Sequence, residues 1–398
     1  MLGDKRFLRT IKLRNILSFG PDTPELELQS LNVLIGPNGA GKSNLIEAIG
    51  LLQAASTNLL DPVRTGGGIS EWLWKGSDSV TVAEIDATVS YPQGEMPLRH
   101  SLRFTKVGQR GQLVDEAIED EHAHSPEDAA VRLYYSNHLH AQPVLYWHKG
   151  QTHRELERQD LALDQSILSQ RKDPDQYPEV TYLGNEYTKI KLFREWSLGR
   201  HTEPRKLQPT DLAADFLSED AANITLVFKD LEHRTNLRAT LVELLREADE
   251  SIVDFSTTIL GDWIQLDLHY AGLKAPVSAA RLSDGTIHYL CLLAVLCHPD
   301  PPPLVCLEEP ELGLHPHLLA KLADLLIDAS HRMQLIVTTH SDILVDGLTK
   351  VPEAVIVCEK ENGSTKMTRR SAADLAAWLK DYGLGQLWRR GEIGGNRW

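Results

Sequence analysis

Residues 31–52 read LNVLIGPNGAGKSNLIEAIGLL, and few stretches restrict a fold more. A strand-like apolar run (Leu31 to Ile35) enters a glycine-rich loop, and apolar residues at helical spacing (Leu45, Ile46, Ile49, Leu52) leave it. The octapeptide Gly36–Ser43 fits GxxxxGK[ST], a phosphate-binding loop. Glycines 36, 39 and 41 let successive backbone N–H groups turn inward around phosphate oxygens, and the following helix adds its positive dipole end. The spacing predicts a nucleoside triphosphate held by Gly36, Asn38, Gly39, Ala40, Gly41, Lys42, Ser43 and Asn44. Lys42 is the expected β/γ-phosphate contact and the Ser43 hydroxyl an expected Mg²⁺ ligand.

A strand–loop–helix unit of this kind needs a parallel sheet around it, and residues 282–360 supply the pattern. They alternate helix, strand, helix, strand, as α/β architecture requires. Leu304-Val305-Cys306-Leu307-Glu308-Glu309 reads as a buried strand ending in two acids, followed by Pro310-Glu311-Leu312-Gly313-Leu314-His315-Pro316. A strand's carboxyl end beside the phosphate loop is where acids meet the nucleotide. Glu308 is therefore expected on Mg²⁺ and Glu309 on the attacking water. A second apolar strand, Gln334 to Thr339, delivers His340, which can donate to the γ-phosphate or to that water. Upstream, Leu282-Ser283-Asp284-Gly285-Thr286 opens an apolar helix, and taken alone this reads as an N-cap.

The rest of the chain is less specific. Residues 7–35 alternate apolar and polar as two or three strands of an N-terminal sheet, and Val80 to Phe104 reads as an antiparallel hairpin arm. Residues 115–128 read as an acidic loop, and 211–250 as helical. Six histidines fall between His122 and His153, with H-x-H pairs at His122/His124 and His138/His140. H-x-H on a strand puts both rings on one face, but no carboxylate or cysteine has fixed spacing to them, so they read as solvated histidines. The cysteines 291, 297, 306 and 358 lie in or beside apolar runs and read as small buried hydrophobes of a reducing cytoplasm. No apolar run approaches the ~20 residues of a membrane helix. With a net charge of −15, an overall basic surface for sequence-independent DNA binding is excluded, though not a local patch. From Lys366 onward there are seven Lys/Arg against three Asp/Glu, with Trp378, Trp388 and Trp398. That segment reads either as a contact surface or as a tail docking on its own core.

GPNGAGKS, LSDGT, LVCLEEPELGLHP and LIVTTH, in this order, resemble the ABC-type ATPase heads of the SMC, RecF and OLD-nuclease group. The resemblance is strongest to the AAA-family ATPases of bacterial defence-type operons, and it extends to SQRKDP at 169–174 and to the ending GLGQLWRRGEIGGNRW. It implies a P-loop NTPase ABC-ATPase head of α/β class with an antiparallel β arm and an inserted helical subdomain. Its divisions would be ATPase lobe I at 1–80, the arm at 81–165, the helical subdomain at 166–280, lobe II at 281–360 and a basic tail at 361–398. LSDGT would be the signature motif, with Ser283, Asp284 and Gly285 contacting the nucleotide of a second copy, so that ATP glues a homodimer. Leu312 and Gly313 would form the D-loop and His340 the H-switch. The lobe-boundary glutamine on Mg²⁺ is best matched by Gln170, then Gln142. The chain departs from the commonest pattern in Glu308, where most such heads carry Asp, and in Asp284, which replaces the first glycine of LSGG. Only 58 residues follow His340, too few for the appended Toprim nuclease of about 100 residues. The expected function is thus a cytoplasmic ATPase controlling a separately encoded effector in phage or plasmid defence. The alternatives are a RecF/SMC-like DNA-maintenance clamp, with nucleic acid bound by the closed dimer, and a non-hydrolysing assembly scaffold.

Overall fold

The computed structural model describes residues 5–77, 82–123, 131–138, 141–147, 152–156, 161–162, 164–234 and 237–395. Its centre is a six-stranded sheet in the order Lys191–Phe193, Leu304–Glu308, Gln334–Thr338, Leu31–Ile35, Val355–Glu361, Ser364–Arg369. The first five strands run parallel and the last is antiparallel. The parallel strands are apolar nearly throughout because both faces of the sheet are covered. Strand periodicity then sends alternate residues into two different cores. Leu34, Leu304, Cys306 and Ile336 join the helix Lys42–Ala55 in one core. Val33, Ile35, Val305, Leu307, Leu335 and Val337 join the helices Asp284–Leu296 and Pro316–Ala329 in the other.

The first core is closed by an antiparallel sheet of eight strands: Leu26–Glu27, Leu8–Arg14, Ala83–Val89, Leu98–Val107, Arg110–Asp120, Leu133–Asn137, Val144–Trp147 and Thr152–Glu155. The N-terminal run thus splits between two sheets: 8–14 pairs with the arm, whereas 31–35 crosses into the parallel sheet. The acidic reading of 115–128 is corrected for 115–120, which are strand. Glu116 is buried there, accepting from the Ser166 hydroxyl and from the Ile167 N–H at 3.0 Å. The buried His100 ring lies 3.2 Å from the same carboxylate. A carboxylate inside an apolar core is tolerable only with partners of this kind, and composition alone cannot reveal them. Residues 124–128 lie outside the described residues.

The expected helical subdomain is only half helical. Helices Ile224–His233 and Leu237–Ala248 pack on a small antiparallel sheet, Gln208–Pro209, Trp263–Tyr270 and Ile252–Leu260, with Val277–Ser278 beside it. The tail docks on its own core: Leu384, Leu387, Trp388 and Ile393 are buried in the second core, while Trp378 is exposed. Trp398 lies outside the described residues, as do His124 and His140, one member of each H-x-H pair. No helix among the described residues is long and apolar enough to cross a membrane.

Candidate active site

The parallel sheet aligns the carboxyl ends of three strands, and the candidate residues meet there. After Ile35 the chain turns at Gly36, whose φ is +147° and where a Cβ would overlap the Cys358 carbonyl oxygen. Asn38 and Gly39 form the exposed rim of the loop, and Ala40 and Gly41 its buried base. Two residues with no sequence signal brace that base. The Thr365 hydroxyl donates to the Ala40 carbonyl at 3.0 Å and its oxygen lies in hydrogen-bond contact with Ser18 Oγ at 2.6 Å, while Asn44 Nδ2 donates to the same Ser18 oxygen at 2.7 Å.

Lys42 is folded back into the loop, donating to the carbonyls of Gly36 at 2.8 Å and Pro37 at 3.2 Å. Burial holds its ammonium below the usual lysine value, against the opposing pull of Cys358, Glu309, Glu308 and Glu311. The Ser43 hydroxyl donates to Glu308 Oε1, so the two expected ligands of a divalent ion converge. An all-oxygen pair suits a hard cation such as Mg²⁺, with phosphate oxygens and water completing the shell. Among the described residues no group of three or more His, Cys, Asp or Glu can hold a metal by itself.

Glu309 follows with φ of +45°, its N–H bonded to the Thr338 carbonyl at 3.0 Å. Its carboxylate lies 3.6 Å from His340 Nε2. Burial, then the Lys42 charge, lower the His340 pKa, while Glu309 and Glu311 oppose, so the ring is neutral at pH 7. Glu311, given no role from sequence, pins this loop: its Oε1 accepts from the Thr339 hydroxyl at 2.6 Å and from the His340 N–H at 2.8 Å.

Gln170 is not brought to this site. Its amide is occupied by the backbone of 162–166, accepting from Ala162 N–H at 2.8 Å and donating to the Gln165 carbonyl at 3.1 Å. The same loop is bonded to residues 58 and 59, just past the far end of the helix Lys42–Ala55, about 20 Å from Ser43 at 1.5 Å per residue. Gln142 is exposed on the arm. The segment that flanks Glu308 instead follows the strand Lys191–Phe193. Trp196 Nε1 donates to the Glu308 carbonyl at 3.2 Å, and Arg194 donates to Glu47 at 2.8 Å.

Ser283 caps the helix Asp284–Leu296, accepting from the Thr286 N–H at 3.1 Å, and Ser283 and Asp284 are exposed. The motif is held from behind. The buried Arg205 donates to the carbonyls of Leu198 at 2.8 Å and Leu282 at 2.6 Å and reaches the Asp284 carboxylate. Gly285 lies so close to the Gly313 carbonyl that a Cβ would come within 2.6 Å of it. His288 adds a second tie, its Nδ1–H donating to the Leu312 carbonyl at 2.7 Å. LSDGT therefore packs on the 309–315 loop of its own chain and turns its serine outward.

A family model described as "AAA domain, putative AbiEii toxin, Type IV TA system" matches residues 31–346. Among solved structures, the Smc head bound to the C-winged helix domain of ScpA has a TM-score of 0.60 at 16% identity, covering 92% of this chain and 99% of its own. The Smc head with an extended coiled coil bound to the C-terminal domain of ScpA, from Pyrococcus furiosus, has a TM-score of 0.59 at 14% identity, covering 94% and 99%. Among curated proteins none matches. At such identities the likeness is one of fold: this chain has the P-loop ABC-ATPase head fold.

Proposed function

Because the chain belongs to the AAA-domain family described as putative AbiEii toxin, Type IV TA system, we propose that it binds and hydrolyses ATP with Mg²⁺. In this reading two copies close around two nucleotides and thereby control a separately encoded effector in phage or plasmid defence. The observation that carries it is the meeting of the Ser43–Glu308 pair and the Glu309–His340 pair at the carboxyl edge of one sheet. Phosphoryl transfer asks a protein mainly for positioning and charge neutralisation. Lys42 exchanges the carbonyls of Gly36 and Pro37 for β/γ-phosphate oxygens. Ser43 and Glu308 would hold Mg²⁺, which would supply neutralisation of phosphate charge. Glu309 orients the attacking water, and His340 donates a hydrogen bond toward the γ-phosphate. The outward-facing Ser283 and the Gly285 N–H reach the γ-phosphate of a second copy, so hydrolysis removes the bridge between protomers.

The test is Glu309→Gln. ATP should convert it to a long-lived dimer by light scattering, with phosphate release slowed at least 10-fold. A monomer with unchanged turnover sinks the assignment. The Smc-head fold favours a second reading, a DNA-maintenance clamp. ATP-dependent DNA binding that collapses between about 50 and 200 mM salt would put that reading first. The net charge of −15 argues for the effector-controlling one. Two of the similar heads are bound to ScpA domains, which makes a docked protein a reasonable output.

A further inference from the structure

Beside the phosphate loop lies a cleft of about 740 Å³, a volume suited to a small ligand. The loop rim at Asn38 and Gly39 lines it, as do His340 and Asp342, and so do Trp388 and Arg389 from the helix Leu384–Arg389 near the chain's end. That C-terminal segment is seated at several points. The Leu384 N–H donates to Thr349 Oγ1 at 3.0 Å, and Gly395 N–H to Glu359 Oε1 at 3.0 Å. Gly395 lies directly on the phosphate loop: a Cβ there would stand 3.5 Å from Gly36 Cα. Arg389 is oriented by an ion pair from its Nε to Asp342 Oδ2 at 2.9 Å. Its two terminal nitrogens make no hydrogen bond among the described residues. The side chain remains 61% exposed.

Charge makes this placement consequential. A triphosphate brings about four negative charges, and Asp342, two residues past His340, adds a carboxylate that would repel them. Arg389 neutralises that carboxylate through Nε and keeps its outer fork free for bidentate contact with a phosphate. Lys360, the other cation lining the cleft, is held by no ion pair among the described residues. Because His340 and the loop rim share the cleft, the phosphate within reach is the terminal one.

We propose that Arg389 is a phosphate-binding residue of the nucleotide site, taking the terminal phosphate of ATP bound to its own chain and so coupling the C-terminal segment to nucleotide state. The inference rests on the ATP reading above. Its test is calorimetric binding of a non-hydrolysable ATP analogue and of ADP, each with Mg²⁺, to the full chain and to Arg389→Ala and Arg389→Lys. Loss of one charge-assisted, partly exposed contact should weaken the ATP analogue about 10-fold. ADP affinity should change less than about twofold, and lysine should recover part of the loss as a point charge without the fork. Unchanged ADP binding also serves as evidence that the variant is folded. If Arg389→Ala leaves the analogue's affinity unchanged, or weakens both nucleotides alike, the role of Arg389 is overturned while the ATP reading stands. If the wild-type chain binds neither nucleotide, both fall.

Discussion

Replacing Arg205 with methionine should separate the scaffold of the LSDGT segment from its surface charge. The guanidinium is buried and makes two strong bonds to carbonyls, at 2.8 Å to Leu198 and 2.6 Å to Leu282, with a longer one of 3.4 Å to Ala279. Methionine keeps the apolar stem and strands those carbonyls, at about 1–3 kcal/mol for each well-made bond lost. The expected cost for the two bonds is roughly 2–6 kcal/mol. Asp284→Ala leaves the carbonyl bonds in place but takes away the carboxylate partner of a guanidinium that is itself only 3% exposed, the carboxylate end being 73% exposed, so it should cost about 1–2 kcal/mol, less than the methionine variant. Urea unfolding followed by tryptophan fluorescence measures both. With residues 279–285 loosened, hydrolysis by the assembled pair should fall while ATP binding by the single chain persists. Equal costs for the two variants, or loss of ATP binding by the Arg205→Met monomer, would refute the assignment of Arg205 as anchor of the motif.

Gly36→Ala should destabilise the fold by roughly 2–5 kcal/mol, combining positive-φ strain with overlap on a backbone carbonyl that cannot move aside. Gly39→Ala, with nothing near its Cβ, should cost about 1–2 kcal/mol, and thermal unfolding of the pair makes the comparison. Glu311→Ala frees the Thr339 hydroxyl and the His340 N–H. It should lower kcat about 10-fold with KM for ATP nearly unchanged, and an unaltered kcat would remove Glu311 from the positioning role. Burial lowers the His288 pKa to about 4. Between pH 6.5 and about 4 the unfolded chain therefore binds a proton that the folded chain refuses, so stability falls with falling pH by up to about 3 kcal/mol. Denaturant titrations across that window should show a shallower acid loss for His288→Gln, and parallel curves would reject the assignment.

Local chemistry was legible because each of its signals lies within a few residues. The run 31–52 specifies strand, turn and helix through hydrogen bonds and φ preferences that need no distant partner, and 304–309 and 334–340 announce buried strands by apolar content alone. The Ser283 cap was readable for the same reason. The arm's acidic strand was not, because Glu116 becomes a core residue only when Ser166, Ile167 and His100 surround it. Gln170 shows the converse. A plausible residue type was available, but its amide is consumed by the loop 162–166.

By itself, then, the sequence determined that a phosphate loop opens a helix off a buried strand, and that two further strands end in Glu308-Glu309 and in His340. Only the tertiary structure decided which side chains support and surround that edge. Thr365 braces Ala40, Arg205 anchors Leu282, Glu311 pins His340, and Arg389 lines the same cleft as the loop rim. The physical reason is sheet order. The strand 31–35 is inserted between 334–338 and 355–361, so residues hundreds of positions apart become neighbours, and no periodicity or motif encodes a contact formed across that distance.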